Sequence, residues 1–428
     1  MKFQKEKLIL LIYILISFFL AYLSWDYIYF EYTDTGIIGA YSLNNHHSFN
    51  DVFRYIIFVM TPLITFIGVK AYYEKNFFTD IKNLFSNIKF NYSSSTQLSW
   101  IVFFVIVIFL ILEFLSISFP THNLDSFHEG QKMSAAYKSL LDNSLWSGSY
   151  VTVGVFYEIL SSKFTWQIFD HMSIGLIRFT ELFLIFIIKI LLTLFLLNLS
   201  NFLKLKDSYK IIFVIFNLLF FSYLINYVPG VDLISSREIP IIILLILFLS
   251  LLRSNNNLFF LFFISLLSTS SMIWAIDRGL VCNFLILCIF IYLFLIGEYK
   301  KSFLFVLFIA LSWLILFYIL KNEFYHFIEN TITIFKEINY IHGLIHPKPF
   351  TDDPNSSRAT KTLLFIILAA LISTNLIFSK KNEYDLNLKR IFIFLSIVAI
   401  SSYLYALGRS DGPHIKNSFG YPLMLISI

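Results

Sequence analysis

Charge is what this chain has least of. Asp, Glu, Lys and Arg make up 14% of its 428 residues, against about 25% in an average soluble domain. Cysteine is almost absent. The only two, Cys282 and Cys288, share one apolar run, so there is no disulfide framework and no Cys/His metal spacing. Low-complexity linkers, internal repeats and polar stretches long enough for a soluble domain are missing too. The formal net charge of +5 does not indicate nucleic acid, because the Lys and Arg fall in short clusters between apolar runs.

Apolar sequence fills the space that charge leaves. Hydrophobic residues are 58% of the chain and aromatics 19%. Runs near 20 residues recur along almost its whole length, the signature of bilayer-spanning helices. The expected fold is all-α, a polytopic transmembrane helical bundle. Spans are placed near 8–24, 55–71, 100–119, 175–199, 210–227, 239–252, 258–275, 280–297, 302–320, 362–379 and 391–407, with the start of a twelfth at 421–428. The span at 239–252 is short for a bilayer, which implies tilt, a re-entrant path or extension by its flanks. No small-x-small cleavage site follows the first run, so it is expected to be a retained helix.

Basic residues set the orientation. Lys2, Lys5 and Lys7 place the N-terminus in the cytoplasm, and loop 25–52, with four acidic residues and no Lys or Arg, on the far side. Lys75, Lys82 and Lys89 return the chain inside. The alternation continues through Lys204, Lys206 and Lys210, Arg253, Lys300 and Lys301, and Lys380, Lys381, Lys389 and Arg390. The organisation that follows is an N-terminal transmembrane hairpin (1–73), a cytoplasmic loop (74–98) with an amphipathic interfacial helix at 79–92, and a transmembrane core (99–320) with external loop 120–174. An external loop (321–361) and a C-terminal transmembrane segment (362–428) complete it.

That topology, drawn from Lys and Arg alone, puts the unusual residues on the outer side. Leu124-Asp-Ser-Phe-His-Glu-Gly130 gathers Asp125, His128 and Glu129 within five residues, on one face if the backbone is helical. Asp125 can cap a helix through Gln131–Leu141, serve as a catalytic base, or do both. His128-Glu129 is no zinc-protease signature, because Lys occupies position 132. A divalent cation, Mg or Mn, held by Asp125 and Glu129 stays open. Asp232 and Arg237-Glu238 come next, then Asp277-Arg278-Gly279, expected in a short turn between spans. That turn is either salt-bridged or presents Arg278 to an anionic group. Arg409-Ser-Asp411-Gly-Pro-His414 repeats the theme. His342, His346 and Asp352-Asp353 have loose metal spacing, and loop packing is their expected role. Within the spans, Arg178 and Glu181 stand at i, i+3, where mutual pairing is expected. Glu113 either faces the same cavity or takes a partner of its own.

The external Asp-x-Phe-His-Glu-Gly resembles the first external loop of the GT-C superfamily of membrane glycosyltransferases, relatives of protein mannosyltransferases and bacterial lipopolysaccharide sugar transferases. The similarity runs through Gly148-Ser-Tyr-Val151, Gly175-Leu-Ile-Arg178, Asp277-Arg278-Gly279 and Gly408-Arg-Ser-Asp411 with His414. In that superfamily the loop follows the first helix, whereas here it follows the third span. The resemblance implies a multi-pass protein of the cytoplasmic (inner) membrane with its site on the periplasmic or extracellular side. The implied reaction moves a sugar from a polyprenyl-phosphate donor to a glycan, lipid or protein acceptor, among membrane lipids and with no nucleic acid. It implies Asp125 as base, with Glu129 and His128 beside it, and Arg278, Asp277, Arg409, Asp411 and His414 around the donor phosphate. One attack aided by a single base inverts the anomeric centre. An O-antigen-type polymerase or ligase, with its key residues in 321–361, and a transporter of lipid-linked glycans are the alternatives.

Overall fold

A computed structural model of the protein describes residues 2–73, 77–85, 97–117, 123–126, 128–224, 236–254, 256–378 and 386–428. Among these residues the regular structure is helical, and the one β-type contact is an isolated bridge between Leu344 and Arg409. The chain begins with α1 (Lys2–Ser24), α2 (Ala40–Leu43), α3 (Ser48–Tyr73) and α4 (Phe77–Leu84). Then come α5 (Gln97–Ser116), α6 (His128–Asp142), α7 (Ser161–Phe169), α8 (Ile174–Phe202) and α9 (Asp207–Leu224). They are followed by α10 (Ile239–Arg253), α11 (Leu258–Trp274), α12 (Ile276–Leu295), α13 (Tyr299–Leu320) and α14 (Asn322–His342). The last are α15 (Ser356–Ile377), α16 (Leu386–Ser402), α17 (Leu404–Gly408), α18 (Gly412–Asn417) and α19 (Gly420–Ser427).

Eight helical stretches among the described residues are long and apolar enough to cross a bilayer. They are Leu8–Tyr27, Ser48–Tyr73, Gln97–Ser116, Ile174–Phe202, Ile276–Leu295, Tyr299–Leu320, Ser356–Ile377 and Leu388–Gly408. The remaining runs expected to span, at 210–227, 239–252 and 258–275, coincide with α9, α10 and α11, helices of 18, 15 and 17 residues. At 1.5 Å per residue α10 and α11 are shorter than a hydrocarbon core of about 30 Å, while the eight longer stretches have the length and composition of a span. Two other expectations change. Much of 321–361, expected as a loop, is the helix α14. Asp277 and Arg278, expected in a turn, lie in the first turn of α12, one residue beyond the end of α11. The amphipathic segment at 79–92 is helical through Leu84 in α4, and its part from 86 onward and Asp232 lie outside the described residues.

The chain forms two compact units, one from Met1–Ser86 with Phe335–Ile428 and the other from Asn87–Ile334. In the second, α8 packs on α5, α9 and α10, and α11 packs on α10, α12 and α13. Its interior is aliphatic, with Leu192, Leu196, Leu245, Leu249, Leu285 and Ile289 buried. Ser173 caps α8 by accepting from the Leu176 N–H at 3.3 Å, and Asn257 caps α11 by accepting from the Phe259 N–H at 2.9 Å. Gly279 lets α11 and α12 close up, since a Cβ there would stand 2.7 Å from Met272 Cα. In the first unit, α1 and α15 pack on α3 around Phe58, Leu363 and Tyr403. The apolar side chains left outside, such as Phe104, Phe109 and Leu112 on α5, are more than half exposed, as suits contact with lipid.

Candidate functional site

Three of the residues expected to carry chemistry meet where α6 begins. The Asp125 carboxylate accepts from the His128 N–H at 3.0 Å and lies 2.8 Å from His128 Nδ1. Glu129 reaches back and accepts from the Asp125 N–H at 2.9 Å, the reciprocal logic of a capping box. So Asp125 does cap the helix, and the cap is what holds the three side chains together. Asp125 and His128 remain about a third exposed, while Glu129 is 1% exposed.

Glu129 is buried because α8 supplies its counter-charge. Arg178 donates to it from Nε at 2.6 Å and from Nη2 at 2.9 Å. One turn on, Lys132 of α6 pairs with Glu181 of α8 and donates to the Tyr157 hydroxyl at 2.8 Å. This corrects the expected pairing of Arg178 with Glu181. Two residues at i, i+3 on one helix meet two at i, i+3 on another with charges reversed, so each buried ion is matched across the interface. Burial alone would raise the Glu129 pKa. The hydrogen bonds from Arg178 and from the Asp125 backbone outweigh it and hold the carboxyl below its ordinary value.

A further carboxylate, which the sequence reading passed over, completes this network. Glu158 sits in a π-helical turn, Phe156–Leu160, a form often found at functional sites. It accepts from the Thr152 N–H at 2.9 Å, the Val153 N–H at 3.1 Å, the Gln131 amide at 3.1 Å and the Thr152 hydroxyl. Burial nonetheless pushes its pKa up, against the pull of those donors and of Arg237. Nothing in Phe156-Tyr-Glu-Ile-Leu160 marks that carboxylate. The available hint was Gly154, whose missing Cβ would stand 2.5 Å from the Trp274 carbonyl.

Arg278 and Asp277 take the salt-bridged alternative. Arg278 is 2% exposed, with Nε 2.5 Å from Glu238. It is held inside the protein as one half of a buried ion pair. Asp277 lies 3.8 Å from Arg237, whose guanidinium stands 5.0 Å from the Tyr157 ring centroid. Glu113 has a partner of its own, Lys189 at 2.7 Å. All of these residues belong to the second unit.

Arg409, Asp411 and His414 are brought together in the first unit. Asp411 caps α18 through the His414 N–H at 3.0 Å, and its carboxylate lies 2.5 Å from His414 Nδ1 and 3.2 Å from Arg409 Nε. Burial would raise the Asp411 pKa, but His414 and Arg409 hold it low. The same unit buries a constellation that sequence spacing could not show. Asp51 accepts from the Tyr41 hydroxyl at 2.7 Å and the His346 N–H at 3.0 Å, and stands 3.0 Å from His46 Nε2. His346 Nε2 is 2.6 Å from the Tyr403 hydroxyl, and burial pushes the imidazole down to about 4.

A divalent cation between Asp125 and Glu129 does not fit. Both Glu129 oxygens already accept from Arg178, whose charge opposes the ion. Among the described residues no group of three or more His, Cys, Asp or Glu stands close enough to hold a metal, His342, His346, Asp352 and Asp353 included. No protein family, curated protein or solved structure matches the chain.

Proposed function

We propose that the protein is an integral membrane glycosyltransferase. It moves a sugar from a polyprenyl-phosphate donor to a glycan, lipid or protein acceptor at the outer face of the cytoplasmic membrane. The observation that carries this reading is the Asp125–His128 pair, about a third exposed and mounted on the buried Glu129–Arg178 ion pair, in a protein rich in helices long and apolar enough to span a membrane. A base must be accessible to the acceptor hydroxyl and fixed in place, and the capped start of α6 supplies both properties. Asp125 takes the hydroxyl proton as the oxygen attacks the anomeric carbon. With its proton on Nδ1, His128 donates to Asp125 and steadies the carboxylate's aim. Glu129 positions these two and touches no substrate.

The leaving group is a lipid phosphate, so cations are needed where charge develops. Arg237, beside Tyr157, is the assigned ligand. Arg278 holds Glu238 and the end of α12 in place. Arg409 is 40% exposed and its fork suits an anionic group, but the reaction as drawn uses only the second unit. The basic-residue alternation of the sequence supports an outward-facing site. One observation favours transport instead, the Glu113–Lys189 pair within the spans. Membranes containing the protein, given radiolabelled polyprenyl-phosphate sugars, should move label into an acceptor fraction. If no donor yields transfer while lipid-linked glycan crosses the bilayer, the protein is a transporter.

A further inference from the structure

The second unit carries a cleft of about 430 Å³ between the loop after α6 and the first half of α14. Trp146 and Tyr150 line one wall, and His326, Glu329, Asn330 and Thr333 line the other. Its size falls in the range of small-molecule sites. Its walls are fixed. Asn330 accepts from the Val151 N–H at 3.1 Å and donates to the Val151 carbonyl at 2.8 Å. Glu323 accepts from the Ser147 N–H at 3.1 Å and from its hydroxyl. The Trp146 ring packs 5.0 Å from Phe327. A wall built before the ligand arrives loses little order on binding.

The lining states what the cleft takes. No Lys or Arg lines it, which excludes phosphate and nucleotides as its preferred ligands. Aromatic surface sits opposite a carboxylate, an imidazole and a hydroxyl. That combination suits a pyranose, whose C–H face packs on a ring while its hydroxyls bond a carboxylate from the edge. Tyr150 stands two residues from Thr152, the residue that binds Glu158 through both its N–H and its hydroxyl. Two residues of chain span at most about 7 Å. The cleft therefore adjoins the polar network.

We propose that this cleft is a saccharide subsite that holds the acceptor glycan. The acceptor role rests on the transferase reading, while the saccharide class rests on the lining alone. The test is saturation-transfer NMR on the full chain in detergent with cellobiose, chitobiose, maltose and mannobiose. At least one should receive saturation, and Glu329→Ala and Tyr150→Ala should each weaken it tenfold or more. Glu329 is 61% exposed and Tyr150 46%, so truncating either leaves the buried core untouched. In the transfer assay, Glu329→Ala should raise the acceptor KM and leave the donor KM unchanged. A rise in the donor KM instead assigns the cleft to the donor sugar and overturns the acceptor role. No saturation of any disaccharide overturns the subsite, even if transfer is intact. Saturation without transfer from any donor keeps the subsite and removes the transferase.

Discussion

Glu129 and Arg178 are both nearly inaccessible, and each is ionised because the other faces it. Removing one partner leaves the other charge buried and uncompensated, which costs about 3–5 kcal/mol. Glu129→Gln should therefore lower stability by that amount in chemical denaturation of the purified protein. The double variant Glu129→Met with Arg178→Met should recover much of it, because no lone charge remains. Equal losses in the single and double variants would contradict a matched pair. Asp125, His128 and Glu129 were legible in the sequence because they are neighbours in it. Lys132 and Glu181 were not legible as a pair, because spacing reveals which residues share a helix face but not which face the next helix offers. Arg178 was assigned to Glu181 for that reason. Glu158 escaped because a lone carboxylate in an apolar run looks the same whether it is solvated or enclosed.

The joint between α11 and α12 decides how the polar network is framed. The Ile276 N–H donates to the Val153 carbonyl at 2.6 Å, and Phe156 stacks on Trp274 with centroids 4.0 Å apart. This contact requires Gly154, since a Cβ there would stand 2.5 Å from the Trp274 carbonyl and 2.6 Å from Ala275 Cα. Gly154→Ala should cost about 1–3 kcal/mol through backbone displacement. It should also lower transfer, because Thr152 and Val153 would move away from Glu158. Thermal melting and the transfer assay check the two effects, and full activity in Gly154→Ala would contradict the framing.

In the other unit, the segment before α15 is pinned by buried His346, which stays neutral with its pKa pushed down to about 4. A depressed imidazole contributes stability above its unfolded value of 6.5 that is lost as pH falls towards about 4. Melting in detergent should decline across that window. The decline should be shallower in His346→Gln, which takes up no proton. An unchanged slope would show that His346 is not the titrating group. None of this buried set around Asp51 was legible, because its members come from positions 41 to 403.

At the scale of the whole molecule, fold class was the easiest property to read. A run of apolar residues reports membrane burial without knowledge of any partner. The span count was harder, since helices of 15 to 18 residues lie near the limit of bilayer thickness, and length and composition do not separate them from buried core helices. The long helix in 321–361 was hidden by its polar composition. The proposed transfer of sugar with Asp125 as base is tested by measuring transfer from radiolabelled polyprenyl-phosphate donors at matched expression. Asp125→Asn keeps the side chain's size and removes its basicity, so the rate should fall by about a hundredfold or more, while His342→Ala retains activity. Transfer undiminished in Asp125→Asn would show that Asp125 is not the base.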